Sequence, residues 1–300
     1  MASLEDLLEK TSRTFALSIP VLPEPTRREV MIAYLLFRIA DTFEDASHWA
    51  PPRRIAALAE FRELLAAPDP EKARRLADGW NAGGVSPHAG YRELIAETPF
   101  VLDAFFALSP PAVAAIRSHV ARSAEGMARS VGRTGGAGLA LADLADLRAY
   151  CYVVAGIVGE MLTELFLLDR PGLAGSAAFL RERAATFGEA LQLVNILKDS
   201  ATDASEGRRY LPAGVAPSEV FALARRDLDV AARYIGALQA ASAPRGLVEF
   251  TALPVLLARA SLDRIEAKGP GSKVSRPEVF FLAQKLKRAL DRDEPAVPVG

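Results

Sequence analysis

Residues 143–168 read DLADLRAYCYVVAGIVGEMLTELFLL, and the way this stretch folds decides the class of the whole chain. Its middle, Tyr152-Val153-Val154-Ala155-Gly156-Ile157-Val158, is rich in β-branched residues and taken alone would suit a strand. The flanks argue otherwise: DLADLRAY enters and EMLTELF leaves at helical spacing, with no partner strand evident elsewhere. One helix is therefore expected here. Outward from it, alanine and leucine dominate and long segments lack proline. Further helices are expected at 26–46, 51–67, 90–107, 111–131, 177–203, 217–240, 246–267 and 276–291. Pro25, Pro51–Pro52, Pro110–Pro111 and Pro217 stand at the expected starts. Gly and Pro gather at 78–90, 132–138 and 268–277, which read as loops. No internal repeat or low-complexity linker divides the chain. The expectation is an all-α fold in a single domain, residues 1–300.

With 300 residues, 50% of them hydrophobic and 24% charged, the chain can bury a large core, and disorder as a class is excluded. A net charge of −1, from 36 basic and 37 acidic residues, argues against a nucleic-acid binder. Cys151 is the sole cysteine, which rules out an internal disulfide and a thiolate zinc site and suggests a reducing compartment. MASLEDLLEK has no basic region followed by an apolar one, so no secretory signal is read there. The apolar run at 151–168 is interrupted by Glu160 and Glu164, and no bilayer-spanning segment is expected. GRTGGAG at 132–138 is not a dinucleotide fingerprint, and no G-x-S-x-G is present. The three histidines do not form the paired Glu-x-x-His of a di-iron bundle.

Chemistry concentrates at two helix ends. Arg38-Ile39-Ala40-Asp41-Thr42-Phe43-Glu44-Asp45 puts Asp41 and Asp45 on one helix face, with Glu44 adjoining it. Gln192-Leu193-Val194-Asn195-Ile196-Leu197-Lys198-Asp199-Ser200-Ala201-Thr202-Asp203 repeats the spacing with Asp199 and Asp203. Like charges so placed cost a helix roughly 0.2–0.5 kcal/mol, and at a C-terminus they also oppose the macrodipole. A chain that does this twice invites cations. Mg²⁺ suits such oxygen ligands, typically with one or two carboxylates and substrate phosphates completing its shell. Against this stands the plainer reading of two solvated acidic helix ends.

The order of motifs resembles the squalene and phytoene synthase family, the head-to-head prenyltransferases. Ser12-Arg13-Thr14-Phe15 resembles its S-[RK]-[ST]-F element, and 38–45 its first aspartate motif. Residues 150–159, YCYVVAGIVG, resemble YCY-x-VAG-x-VG, and residues 188–199, GEALQLVNILKD, resemble GEALQL-x-NILRD. Residues 207–212, GRRYLP, resemble GR-x-YLP, so that the similarity spans roughly 11–290. The resemblance implies an all-α isoprenoid-synthase bundle around a central cavity, with two Mg²⁺-binding aspartate motifs. It implies Asp41, Asp45, Asp199 and Asp203 as Mg²⁺–diphosphate ligands, with Glu44 assisting the first group and Asn195 sharing the metal-facing side of the second. Ser12, Arg13, Thr14, Arg38, Gln192, Asn195, Lys198, Arg208, Arg209 and, on a short match, Lys273 become diphosphate contacts. Lys198 stands where the signature has arginine, so a bidentate contact becomes a point charge. Tyr150 is implied in proton handling, Gly156 and Gly159 in close approach of substrate or helix, and Cys151 in the core.

DTFED at 41–45 is more similar to squalene synthases than to the DD-x-x-D of phytoene synthases. The implied reaction joins two farnesyl diphosphates through a cyclopropylcarbinyl diphosphate to squalene, with Mg²⁺ and NADPH. Dehydrosqualene or phytoene without NADPH, presqualene diphosphate and hydroxysqualene remain alternative products. A non-catalytic prenyl-diphosphate binder is the reading from another class. A terpene cyclase fits less well, since Asp199-Ser200-Ala201-Thr202-Asp203 lacks its usual Asn, Ser and Glu ligands. The ending RDEPAVPVG carries no apolar tail. A cytoplasmic protein is expected, soluble or in transient contact with a membrane, not bound to nucleic acid and compatible with a monomer.

Overall fold

The computed structural model describes residues 3–12, 14–133, 139–205 and 208–299. Among them the chain is helical throughout, and the only β-type pairing is an isolated bridge between Ala140 and Arg209. The all-α expectation holds. Internal contacts divide the chain into two compact units, residues 1–20 with 24–136 and residues 21–23 with 137–300.

The first unit holds α1 (Leu4–Thr11), α2 (Phe15–Ser18), α3 (Thr26–Glu44), α4 (Pro51–Ala66), α5 (Pro70–Ala82), α6 (Ala89–Ala96), α7 (Thr98–Phe106) and α8 (Pro110–Arg133). Its core is aromatic around α3. The Phe43 ring meets Trp80 edge-on at 4.7 Å and Phe61 at 6.2 Å, and all three side chains are fully buried. The buried Trp80 indole is satisfied by donating to Glu60 at 2.7 Å. Three of these helices, α1, α2 and α5, were not expected, although α1 and α5 carry start signals. Ser3 and Asp6 form a reciprocal capping box ahead of α1, and the Asp69 carboxylate accepts from the Lys72 N–H ahead of Pro70 in α5. The helix expected at 90–107 is two helices. Pro99, in the first turn of α7, has no N–H to continue the ladder from α6.

In the second unit, α9 (Leu144–Cys151) runs through a π-turn (Tyr152–Gly156) into α10 (Ile157–Asp169), so the β-branched stretch is helical as expected but wound one residue wide. A 3₁₀ segment (Pro171–Ser176) leads to α11 (Ala177–Ser205), followed by α12 (Pro217–Ala240), α13 (Arg245–Lys268) and α14 (Arg276–Asp291). The glycines of the two long motifs let α10 and α11 cross backbone to backbone. A Cβ on Gly159 would fall 2.0 Å from the Ala184 carbonyl oxygen, and one on Gly188 would fall 2.0 Å from that of Ala155. By length and composition, the helix 144–169 is apolar enough to cross a membrane despite Glu160 and Glu164, where no spanning segment was expected. Half of its most apolar window is nevertheless buried inside the protein, and Glu164 is paired with Arg181 at 2.6 Å. It behaves as a core helix.

Under the π-turn, Arg148 of α9 bridges two buried carboxylates, Glu189 of α11 at 2.9 Å and Asp227 of α12 at 2.8 Å. Burial raises both acids above their ordinary values, while Arg148 pulls each down. Cys151 lies at the same place with its thiol pKa pushed up by burial, in keeping with a core role. Arg148→Met would leave the two acids facing each other with only the smaller influence of Arg226 on Asp227 to offset their charge. It is expected to cost about 2–4 kcal/mol at neutral pH, toward the lower end for a buried pair because Arg148 keeps 37% of its exposure. Folded-state pKa values above the unfolded ones mean that protons stabilise the fold, so the loss should shrink in mild acid as the acids take up protons. Urea unfolding at both pH values reads this directly.

Candidate active site

The first acidic end is the last turn of α3. Arg38, Asp41 and Asp45 share a face, and the Asp45 N–H caps the helix on the Asp41 carbonyl at 2.8 Å. The Arg38 guanidinium reaches Asp41 at 3.3 Å and lies over the rings of Tyr34 and Tyr91, 5.6 and 5.5 Å from their centroids. Burial works against its charge, but Asp41 and the two tyrosines outweigh it and raise its pKa. Asp41 keeps 28% of its side-chain exposure. Burial lifts its carboxyl to about 6; Arg38 opposes the shift and Asp45 adds to it. Glu44 is buried, at 9% exposure, so it is not on the open part of this turn.

The N-terminal motif lies beside this end. Ser12 Oγ accepts from the Phe15 N–H at 2.9 Å, and the Thr14 carbonyl accepts from Leu17 at 3.1 Å, so the two residues shape the entry to α2. Phe15 packs on Tyr34 at 5.4 Å, and Tyr34 in turn donates to the Thr11 carbonyl at 2.9 Å. Ser12 and Thr14 are thus tied through two rings to Arg38. Arg13 lies outside the described residues.

The second acidic end is the last part of α11. Gln192, Asn195 and Asp199 follow at i, i+3 and i+7 on one face. Lys198 donates to Asn195 Oδ1 at 2.9 Å and pairs with Asp199 at 3.3 Å. Arg208 folds back on Asp203, with its guanidinium at 3.4 Å and its N–H donating to the Asp203 carbonyl at 2.8 Å. Arg209 holds its place through the backbone, donating to the Leu139 carbonyl at 2.8 Å. One residue further, Tyr210 stacks on Tyr150 at 4.9 Å and accepts from its hydroxyl at 3.3 Å. Tyr150 itself is buried. The 269–275 loop also meets α11. Gly269 and Gly271 adopt φ of +84° and +82°, open to glycine, and the Gly271 N–H donates to the Lys198 carbonyl at 2.7 Å. Lys273 is exposed in that loop, and its carbonyl accepts from Arg264 at 3.1 Å.

Among the described residues no three of His, Cys, Asp and Glu gather as a closed metal cage. Each end instead presents two aspartates with cationic side chains beside them. Such an open set of hard oxygen donors fits Mg²⁺ whose remaining ligands come from water and a polyanion. Burial, with a smaller push from Asp45, disfavours the charge on Asp41, and a bound cation would relieve it. Motif reading had not singled out Tyr34, Tyr91, Tyr210 or the Arg148–Glu189–Asp227 set. Tyr210 was visible as the tyrosine of GRRYLP and Glu189 as the glutamate of GEALQL, whereas the others carry no local signal.

A family model described as squalene/phytoene synthase matches residues 8–220. The squalene synthase of Eremothecium gossypii is 32% identical over 209 residues, covering 69% of this chain and 44% of that protein. The chain thus spans less than half the length of the curated relatives it matches. A squalene synthase structure with a bound ligand superposes over 96% of this chain and 87% of that one, with a TM-score of 0.77 at 24% identity. A ligand-bound dehydrosqualene synthase covers 96% and 95% of the two chains, with a TM-score of 0.63 at 22% identity. At these identities the likeness establishes the fold.

Proposed function

The chain belongs to the squalene/phytoene synthase family, and we propose that it joins two molecules of farnesyl diphosphate head to head, through presqualene diphosphate, to squalene, with Mg²⁺ on the diphosphates and NADPH as hydride donor. The observation that carries this reading is the repeated aspartate pair, Asp41/Asp45 and Asp199/Asp203, each with cations at its side. A cyclase, which ionises one diphosphate, would carry Asn, Ser and Glu ligands in place of the second aspartate pair. Two pairs suit a reaction that ionises a diphosphate twice.

Asp41 and Asp45 hold Mg²⁺ at one helix end, and Asp199 and Asp203 do so at the other. When bound, the ion neutralises the diphosphate and makes it a better leaving group. Arg38 and Arg208 add fixed positive charge where diphosphate charge develops, and Lys198 adds a more mobile one. Asn195, held by Lys198, and Gln192 extend the polar face toward the same anion, as Ser12 and Thr14 do near Arg38. The apolar helices that carry these motifs keep water from the carbocation. Tyr150 handles the proton lost as the cyclopropane ring closes. Because it donates to Tyr210, an incoming proton can pass along the pair.

Tyr150→Phe and Tyr210→Phe both preserve the stacked rings, so they separate proton handling from packing. Tyr150→Phe is expected to lower kcat by about a hundredfold, the lower end for a lost acid–base group. Tyr210→Phe should lower it about tenfold, the size of one hydrogen bond. KM should change little in either, and steady-state assays with farnesyl diphosphate check both values.

The function is tested by incubating the protein with farnesyl diphosphate and Mg²⁺, with and without NADPH, and identifying the extracted hydrocarbon by mass spectrometry. Squalene that appears only with NADPH is the expected result. Dehydrosqualene regardless of NADPH would overturn the product assignment. Turnover of geranylgeranyl diphosphate instead would overturn the reading of DTFED.

A further inference from the structure

Helix α14 buries one side and leaves the other bare. Leu286 is 3% exposed, with Val279, Leu282 and Leu290 partly covered beside it. The opposite side carries Phe280 and Phe281, at 67% and 63% the most exposed aromatic residues among those described. Adjacent phenylalanines left so bare contribute little to packing among the described residues. Lys285 lies one turn after Phe281 and Arg288 two turns after it, while Lys287 lies two turns after Phe280. All three cations are exposed.

The charge around this face departs from that of the chain. Residues 268–291 hold six cations, Lys268, Lys273, Arg276, Lys285, Lys287 and Arg288, against two acids, Glu278 and Asp291. Both acids are already paired with arginines of α13, Glu278 with Arg264 and Asp291 with Arg245. A protein of net charge −1 therefore concentrates unneutralised positive charge on a helix that also displays two bare rings. From this we propose that the outer face of α14 docks on an anionic lipid surface, with Phe280 and Phe281 entering the headgroup–acyl boundary and Lys285, Lys287 and Arg288 pairing with lipid phosphates.

Charge complementarity selects this occupant. A second copy meeting the face symmetrically would set these cations against each other. Single-stranded nucleic acid is gripped in a groove, whereas this face is a single convex helix. The inference concerns where the protein sits and does not depend on its catalytic reading.

The test is co-sedimentation of the full chain with phosphatidylcholine vesicles, with and without phosphatidylglycerol. Binding is expected to the mixed vesicles, weakening as salt rises. The double variant Phe280→Ser, Phe281→Ser should lower the partition constant by at least about tenfold. Lys285→Gln, Lys287→Gln and Arg288→Gln should each lower it by roughly fivefold. All five positions are exposed, so melting curves should match wild type and show that the fold is intact. No binding to mixed vesicles would overturn the proposal, as would wild-type binding by the phenylalanine variant. Self-association or oligonucleotide binding that needs these phenylalanines, without vesicle binding, would overturn it in favour of that partner.

Discussion

Asparagine in place of Asp41 is expected to lower turnover of farnesyl diphosphate by at least about a thousandfold, with the fold intact. The size follows from removing a charged ligand at the point where leaving-group charge is stabilised, where single contacts are worth factors of about 10²–10³. Stability should move the other way. Burial lifts the Asp41 carboxyl from 3.8 to about 6 in the folded state. A raised folded-state pKa means that folding opposes the charged form. The protein is therefore less stable above that value than it would be with a neutral residue, and the penalty disappears as pH falls below the unfolded value. The shift is worth about 3 kcal/mol at most, less for a side chain that keeps 28% of its exposure and has Arg38 beside it. Metal-free Asp41→Asn should therefore melt at or above the wild-type temperature at neutral pH, with the difference lost in acid. Asp199→Asn should match its effect on turnover. Product formation and thermal melts on the same samples check both halves, and near-normal turnover in both variants would remove the proposed metal sites.

The second large effect is structural. Gly188→Ala is expected to cost about 3 kcal/mol or more and to lower the melting temperature by roughly 10 °C. Its Cβ would fall 2.0 Å from the Ala155 carbonyl oxygen, and the neighbour is backbone, which cannot swing aside. The two helices would have to separate, shifting the start of the segment that leads to Asn195 and Asp199. Gly236→Ala is the matched control. A Cβ there meets nothing within 4 Å, so alanine should stabilise α12 by up to about 1 kcal/mol. A Gly188→Ala protein that melts with wild type would contradict the close approach of α11 to the π-turn.

These predictions rest on features that differ in how far the sequence reveals them. The helical reading of 143–168 needed only its flanks. Its π-turn carries no local signal; the segment lies against α11, where a Cβ on Gly188 would fall 2.0 Å from the Ala155 carbonyl oxygen. Helices α1 and α5 are announced by Ser3–Asp6 and by Asp69–Pro70, but they are short, 8 and 13 residues, and each buries only a few apolar residues, Leu4, Leu7 and Leu8 in one and Ala73, Ala77 and Trp80 in the other. At the site, the spacing of the aspartates was plain, since i and i+4 is a local property. Their partners were not. Tyr150 meets Tyr210 across 60 residues of sequence, and Arg148 meets Asp227 across 79. Contacts of that range are fixed by tertiary packing and leave no periodic trace in either segment.

The most direct test of the account is to supply unlabelled farnesyl diphosphate together with farnesyl diphosphate deuterated in its terminal methyl groups, and to weigh the hydrocarbon formed. Head-to-head joining predicts a product in which one half is labelled and the other is not, alongside fully labelled and unlabelled molecules, and it predicts that all three vanish with Asp41→Asn. Hydrocarbon that carries only one farnesyl unit, with no mixed species, would contradict it.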